Sequence, residues 1–348
     1  MSIHQPSFFD EADRLAKLTK LKDPLEVLKQ HIDFEIFRPQ LATVFNKERK
    51  SAAGRKAYDV VLMFKILILQ RLYNLSDEQA EFQINDRQSF QRFLGLHLGS
   101  TVPDFSTVWL FREALTVAEA IKPLFDTYGA ILEKQGIVTK AGTIVDASFV
   151  EVPRQRNTRE ENEMIKQGQT PPEWENQAHK LGQKDLDARW TKKNHETFYG
   201  YKNHIRADAD SVIITDYTVT DAAVHDSQAL PELIGPDNKD ENLFADSAYK
   251  SAKTDETLAE LGITNYVHEK AARNRPLNVL QKEFNRLKSQ VRCHIEHIFG
   301  CVENSMGGPE LEYIGLPRIR TGIGLINLAY NLLRHVQLIR LGRAPARA

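Results

Sequence analysis

The chain has 348 residues, of which 41% are hydrophobic and 27% are charged, and its formal net charge is −1. This length is enough for a full core and predicts two domains, or one domain with an extension. The near-neutral charge disfavours a protein that simply coats DNA. The two cysteines, Cys293 and Cys301, are too few for a disulfide framework and are predicted to lie on one helix, where they cannot easily bridge.

The small number of cysteines fits a reducing cytoplasm, and the sequence shows no targeting signal. The N-terminus lacks a basic region followed by an apolar one, so we expect no secretory signal. The most apolar run, Val60–Leu69, contains Lys65 and is far shorter than the roughly 20 residues that a membrane span needs. It is interpreted as a buried helix.

Positive charge is concentrated in two places. The segment 47–56 contains one acidic residue, Glu48, among its basic residues Lys47, Arg49, Lys50, Arg55 and Lys56. After Glu312 the chain has no acidic residue but carries Arg318, Arg320, Arg334, Arg340, Arg343 and Arg347. Charge alone leaves two interpretations open, a solvated surface or a contact with DNA phosphates.

Residues 1–135 are predicted to be all helical. Asp59–Tyr73 has the pattern of a strongly apolar helix, and Ser76–Gln79 has that of a capping box that opens the next one. Pro103–Thr107 predicts a turn into another helix. Several short helices are compatible with a helix-turn-helix module, but periodicity does not separate that module from a plain bundle.

From about residue 136 the pattern predicts an α/β domain. Gly142–Asp146 is predicted as a short strand that ends in a carboxylate, and 151–197 as a polar surface insertion or partly ordered loop. The later predicted elements are a hairpin (Thr197–Ala207 and Ser211–Thr220), a strand (Leu243–Asp246), a helix (251–262), a strand (Ile263–Val267) and two helices (Leu277–Asn304 and Arg318–Arg340).

Two predicted strands end in an aspartate, Asp146 and Asp246. A carboxylate at the end of an apolar strand lies at the rim of a sheet, where ligands bind in open α/β folds. Magnesium prefers hard oxygen ligands and keeps several waters, so two or three carboxylates with a substrate phosphate are enough to hold it. A pair of ions about 4 Å apart can support an in-line phosphoryl displacement without a covalent nucleophile.

Histidines offer the main rival chemistry. His225-Asp226 and the pair His294 and His297 are candidates for a transition-metal site. The second pair is spaced i, i+3 and lacks the i, i+4 zinc pattern with its internal glutamate, so zinc is disfavoured. Serine-nucleophile motifs and phosphate-binding glycine loops are absent from the sequence.

Short motifs in a fixed order resemble those of bacterial DDE transposases of the insertion-sequence-five family, over about Gly54–Leu341. In the helical part they are Gly54-Arg-Lys56, Met63-Phe-Lys65, Tyr73–Asp77, Asp86–Phe93 and Val102–Thr107. In the α/β part they are Ile144–Ala147, Trp190–Lys193, Gly200–His204, His225-Asp226, Ala245–Tyr249 and Arg292–His297.

The resemblance implies an RNase H-like mixed sheet flanked by helices, preceded by an all-helical N-terminal domain. It implies that Asp146, Asp246 and Glu296 are the catalytic triad and bind two Mg²⁺ ions, for which Mn²⁺ would substitute. The implied activity is cleavage of double-stranded DNA at terminal inverted repeats, followed by joining of the 3′-hydroxyls to target DNA. A homodimer or larger assembly, in the cytoplasm and nucleoid-associated when bound to DNA, is expected, with no membrane partner.

The predicted organisation is a helical DNA-binding domain over 1–135 and a catalytic domain over 136–348. The catalytic domain would carry the polar insertion 151–197 and a basic C-terminal helix. The residues expected to contact DNA are Arg55 and Lys56 in the basic cluster, Lys192 and Lys193 before the hairpin, Lys202, and Arg292.

Arg292 lies one turn before Glu296, so it is expected either to touch the DNA backbone or to orient Glu296. His225 and Asp226 are expected to cap the following helix rather than to act in catalysis. Relatives often carry Tyr and Lys where this chain has Ser289 and Glu303. Two other functions therefore stay open, a catalytically decayed sequence-specific DNA-binding protein and a metal-dependent nuclease without strand transfer.

Overall fold

The computed structural model describes residues 10–45, 56–97, 99–193, 195–271 and 275–345. The described residues form two compact units. The first takes its residues from Met1–Ala120 and Leu332–Ala348, and the second comprises Ile121–Asn331.

The first unit is helical. Its central helix, Val60–Tyr73, has ten buried residues, most of them apolar. Asp59 caps the start of this helix by accepting hydrogen bonds from the N–H groups of Val61 and Leu62. The capping box predicted at Ser76 and Gln79 is present. The helices are α1 Asp10–Lys20, α2 Pro24–His31, α3 Arg38–Phe45, α4 Val60–Tyr73, α5 Asp77–Asp86, α6 Gln88–Leu94 and α7 Phe105–Val117.

The second unit combines helices with one mixed sheet. Its strands are β1 Thr143–Glu151, β2 Arg189–Lys193, β3 Glu196–Asp208, β4 Ile214–Asp221, β5 Asn242–Ala245 and β6 Thr264–Asn265. Its helices are α8 Ile121–Lys134, α9 Arg159–Lys166, α10 Pro172–Glu175, α11 Ala178–Leu181, α12 Asp226–Leu233, α13 Ala252–Glu260, α14 Val279–Arg292, α15 Glu296–Ser305 and α16 Leu316–Arg340, the last of which belongs to this unit as far as Asn331.

The strand order is β2-β3-β1-β5-β6, with β4 also paired to β3. Strand β3 is long enough to hold β2 along Glu196–Gly200 and β4 along Tyr201–Ala207. Strands β1, β5 and β6 are parallel to one another, and β1 pairs with β3 in the antiparallel sense. This arrangement confirms the predicted α/β class, the hairpin and the helical N-terminal region.

The core beside the parallel strands is made of residues from several elements. Val145 of β1 and Ala245 of β5 belong to one core with Leu230 of α12 and Leu258 of α13. Tyr249, in the turn after β5, belongs to the same core, and all five side chains are at most 2% exposed. Because alternate residues of a strand point to opposite faces, the aspartates that follow Val145 and Ala245 do not belong to this apolar layer.

The polar segment 151–197 is more ordered than either sequence interpretation. It contains α9, α10, α11 and β2, and the buried Trp174 side chain donates a hydrogen bond to Glu161. The helices are short, and a capping box at Thr158 and Glu161 starts the first of them. Their few apolar residues explain why hydrophobic periodicity did not reveal them.

The predicted helix Leu277–Asn304 is divided in two. A 3₁₀ turn, Cys293–Ile295, separates α14 from α15. Arg292 therefore ends the first helix and Glu296 begins the second. No helix among the described residues combines the length and apolar character that crossing a bilayer requires.

Candidate active site

The parallel ladder between β1 and β5 brings two aspartates side by side. Its register pairs Val145 with Ala245, so the next residues along the two strands are Asp146 and Asp246. We call these two residues the aspartate pair. Their juxtaposition follows from two short apolar runs, Ile144-Val145 and Phe244-Ala245, that lie in parallel and in register.

The two aspartates differ in local structure. Asp246 directly follows β5, as predicted, and its carboxylate caps the 3₁₀ turn Ser247–Tyr249 by accepting the N–H of Ala248 at 2.8 Å. The prediction that the strand ends at Asp146 is wrong, because β1 continues to Glu151. Pairing with β3 along its whole length keeps β1 extended after the parallel pairing with β5 has stopped.

The surroundings of Asp146 disfavour its negative charge. Its pKa is raised to about 6, mainly by burial and additionally by the negative charge of Asp246. The N–H of Ala147, at 2.8 Å, and the positive charges of Arg292 and Lys193 lower the same pKa. Two neighbouring carboxylates that repel each other in a partly buried place are stabilised when a cation binds between them.

Arg292 links the aspartate pair to the third predicted carboxylate. Its Nη1 lies 3.1 Å from Oδ2 of Asp146, and its Nη2 lies 3.4 Å from Oε1 of Glu296. The Glu296 side chain is 65% exposed, against 20% for Asp146. The structure thus brings together Asp146, Asp246 and Arg292, and it holds Glu296 at their edge through one guanidinium group.

The donor set of the aspartate pair fits a hard divalent cation, because both groups offer carboxylate oxygens. Across the described part of the chain, however, no group of three or more His, Cys, Asp or Glu side chains is arranged to hold a metal together. Glu296 is instead turned toward Arg292.

Lys192 and Lys193 lie on the edge strand β2, which the sequence did not predict, and both are exposed. The Lys193 ammonium is 5.6 Å from the ring centroid of Phe149, whose ring stacks on Phe198 at 4.3 Å. Lys193 and Glu303 line the same cleft of about 380 Å³. The positive charge of Lys193 also lowers the pKa of Asp146, whereas Lys192 is placed by the structure only on the open edge of the sheet.

Lys202 occupies a different environment from the other lysines. It is 8% exposed, and its ammonium donates to Oδ1 of Asp226 at 2.8 Å and to the carbonyl of Val224 at 2.7 Å. A phosphate contact would require these bonds to break. We therefore interpret Lys202 as an internal ion-pair partner that fixes the start of α12.

The basic cluster of the sequence is only partly described. Arg55 lies outside the described residues, and Lys56 is exposed in a segment without regular secondary structure. The structure gives no further information on their predicted contact with DNA.

The histidines take structural roles. His225 caps α12, as expected, with Nδ1 accepting the N–H of Ser227 at 3.3 Å. His294 hydrogen-bonds through Nδ1 to the carbonyl of Ala209 at 3.1 Å, and its ring centroid is 6.3 Å from that of His297. The disfavoured zinc interpretation gains no support from this geometry.

Two features of the site were not assigned a role from the sequence. The Phe149–Phe198 stack depends on the pairing of β1 with β3, which a motif search does not reveal. Tyr249 follows Asp246 by three residues and is fully buried in the core beside the parallel strands. Its fixed distance from a strand-end aspartate was the available signal.

Comparison with known proteins gives two family matches. The family model described as Transposase DDE domain matches residues 139–332, and the one described as Transposase domain (DUF772) matches residues 13–114. The chain is also similar to a cryo-EM structure of a piggyBac transposase synaptic complex with hairpin DNA. That similarity has a TM-score of 0.46 and 12% identity, over 93% of this chain and 77% of that chain.

Proposed function

The chain belongs to the DDE transposase family, as the match over residues 139–332 shows, and from this premise we propose that it cleaves DNA and joins the freed 3′-hydroxyl ends to target DNA. The observation that carries the proposal is the register of β1 and β5, which sets Asp146 beside Asp246 with Arg292 leading to Glu296. The family supports the predicted RNase H-like fold of the catalytic region.

The substrate we propose is the pair of terminal inverted repeats of the element that encodes the chain. The ordered motifs of the sequence support membership in the bacterial insertion-sequence-five group. We place the DNA-binding surface in the predicted helical domain over 1–135, with the basic C-terminal helix as a second contact. Assembly as a dimer or larger oligomer on two ends completes the proposal, and sizing with paired-end DNA should show at least two protomers in each complex.

Asp146 and Asp246 are the proposed ligands of the divalent cations, Mg²⁺ or Mn²⁺ in its place. When bound, a pair of such ions supplies activation of the attacking oxygen and stabilisation of the leaving oxygen in an in-line displacement. Arg292 holds positive charge beside Asp146, and it restrains Glu296 at the edge of the site. Release of Glu296 from Arg292 would let its carboxylate join the other two.

Contacts to the DNA backbone are proposed for the exposed cations nearest the triad. Lys193 has an exposed side chain, and its positive charge lowers the pKa of Asp146, so it is well placed for a phosphate next to the cleaved bond. Lys192 extends the same positive edge of β2. Arg292 would be available to a phosphate if its ion pair with Asp146 were released.

Strand transfer separates this function from plain hydrolysis. Full-length protein is incubated with Mg²⁺, a labelled duplex that ends in the inverted repeat flanking its own gene, and a supercoiled target plasmid. We expect labelled ends joined to the plasmid, and no product with EDTA or with Asp146→Asn. Cleavage without joined product would support a nuclease, and binding without cleavage by the wild type would support a decayed DNA-binding protein.

A further inference from the structure

Tyr249 is a buried tyrosine three residues after Asp246. It is the last residue of the 3₁₀ turn Ser247–Tyr249 that Asp246 caps, and its side chain is 0% exposed. Its ring packs in the core that contains Val145 and Ala245, the residues directly before the two aspartates.

The hydroxyl of Tyr249 is buried without a hydrogen-bond partner among the described atoms. Buried hydroxyls are paired in most proteins, because leaving a donor unsatisfied costs free energy. Burial raises the pKa of Tyr249 well above its usual value, and the charges of Asp146, Asp226 and Asp246 raise it further. Three carboxylates therefore lie within electrostatic range of this hydroxyl.

The aspartate pair differs from Asp226 because a bound cation would change its contacts. Asp226 already receives the ammonium of Lys202 at 2.8 Å. Asp246 uses Oδ1 for the N–H of Ala248, and Asp146 uses Oδ1 for the N–H of Ala147 and Oδ2 for the guanidinium of Arg292, a contact that a bound cation would weaken. Displacement of Arg292 and rotation of the carboxylates would change which oxygens need a donor.

We propose that the Tyr249 hydroxyl is a positioning group for the metal site, one that donates to a carboxylate oxygen of the aspartate pair when Asp146 and Asp246 hold a divalent cation. This inference rests on the proposed metal-dependent function. Donors behind the ligands fix the orientation of metal-binding carboxylates, and their loss commonly weakens metal binding. In this structure the hydroxyl has no hydrogen-bond partner among the described atoms, and a phenylalanine would fill the same core volume without the cost of an unsatisfied donor.

A matched pair of variants tests the role of the hydroxyl. Tyr249→Phe removes the unpaired hydroxyl, and Tyr201→Phe removes the hydroxyl of a second fully buried tyrosine, which donates to Asp185 at 2.7 Å. Binding of Mn²⁺ to the full-length protein without DNA is followed by electron paramagnetic resonance of the free ion, and the melting temperature is measured in EDTA. Asp146→Asn, which should abolish the Mn²⁺ binding, assigns it to the aspartate pair.

We expect Tyr249→Phe to weaken Mn²⁺ binding about tenfold and to melt in EDTA at or above the wild-type temperature. Tyr201→Phe should melt at a lower temperature and bind Mn²⁺ like the wild type. Unchanged Mn²⁺ affinity in Tyr249→Phe would overturn the inference, and so would a lower melting temperature of this variant in EDTA, which indicates a purely structural hydrogen bond. If the wild type binds no Mn²⁺, the proposed metal site itself fails.

Discussion

The buried carboxylate of Asp185 offers a sharp test of how the ordered insertion is held to the sheet. Asp185 is 2% exposed, and its carboxylate accepts four hydrogen bonds. They come from the N–H of Asp187 (2.9 Å), the N–H of Ala188 (2.9 Å), the hydroxyl of Tyr201 (2.7 Å) and the N–H of Gly315 (3.0 Å). One side chain therefore ties β2, β3 and the start of α16 together.

Asp185→Ala should lower the free energy of unfolding by on the order of 4 kcal/mol, because each buried donor left unsatisfied costs about 1–3 kcal/mol. Two of the four donors, on Ala188 and Tyr201, belong to residues at most 4% exposed and cannot readily turn to water. The other two lie at partly buried or exposed positions and add less. Tyr201→Phe removes one of the two buried donors and should cost about 1–2 kcal/mol.

Urea unfolding followed by tryptophan fluorescence measures both losses, since Trp174 and Trp190 lie in the same unit as Asp185. The variants are compared at pH 7 with the wild type. If Asp185→Ala unfolds within about 0.5 kcal/mol of the wild type, the value usual for a surface substitution, the hydrogen bonds do not hold the insertion and the reasoning fails.

Three further predictions follow from single residues. His204 is 0% exposed, and burial lowers its pKa from 6.5 to about 4, so the unfolded chain binds more protons than the folded chain between these pH values. The free energy of unfolding should therefore fall by about 3 kcal/mol as the pH drops from 6.5 to 4. In urea titrations at several pH values, His204→Gln should lose this part of the pH dependence. Gly200 has φ +145° and an added Cβ would lie 2.3 Å from the carbonyl oxygen of Val150, so Gly200→Ala should cost at least about 2 kcal/mol by the same assay, and a neutral result would contradict the register of β1 and β3. Lys193→Ala should weaken binding to element ends and reduce the slope of log affinity against log salt by about 1, with wild-type stability; an unchanged slope would remove Lys193 from the DNA contacts.

The position of Asp246 could be predicted because its signal is local. An apolar run, Leu243–Ala245, ends at a carboxylate, and the strand ends there too. Asp146 shows the limit of the same argument. Its strand continues to Glu151 because β3 pairs with it, and the partner of Asp146 on β3 is Ile205, 59 residues later (205 − 146), so no local pattern could reveal it.

The roles of the basic residues were harder to predict for the same reason. Lys192, Lys193 and Lys202 look alike in sequence, but only Lys202 faces α12, where Asp226 neutralises it. Tyr199–Asp208 of β3 are all buried, so Lys202 lies inside the unit, whereas Lys192 and Lys193 lie on the exposed edge strand β2. The 3₁₀ turn at Cys293–Ile295 likewise contains no proline or glycine from which a sequence pattern could predict it.

The identity of the third carboxylate is the most exacting test of the active site. Glu296 begins α15 beside Arg292, whereas Glu303 lies seven residues later, about 10 Å further along a helix with a rise of 1.5 Å per residue, and lines the cleft with Lys193. Two ions about 4 Å apart cannot comfortably use both residues.

The decisive measurement is Mg²⁺-dependent cleavage of a terminal-repeat duplex by Glu296→Gln and Glu303→Gln, side by side with the wild type. The account predicts that Glu296→Gln binds the duplex but does not cut it and that Glu303→Gln still cuts. An active Glu296→Gln together with an inactive Glu303→Gln would contradict it, and would move the third ligand two turns along α15.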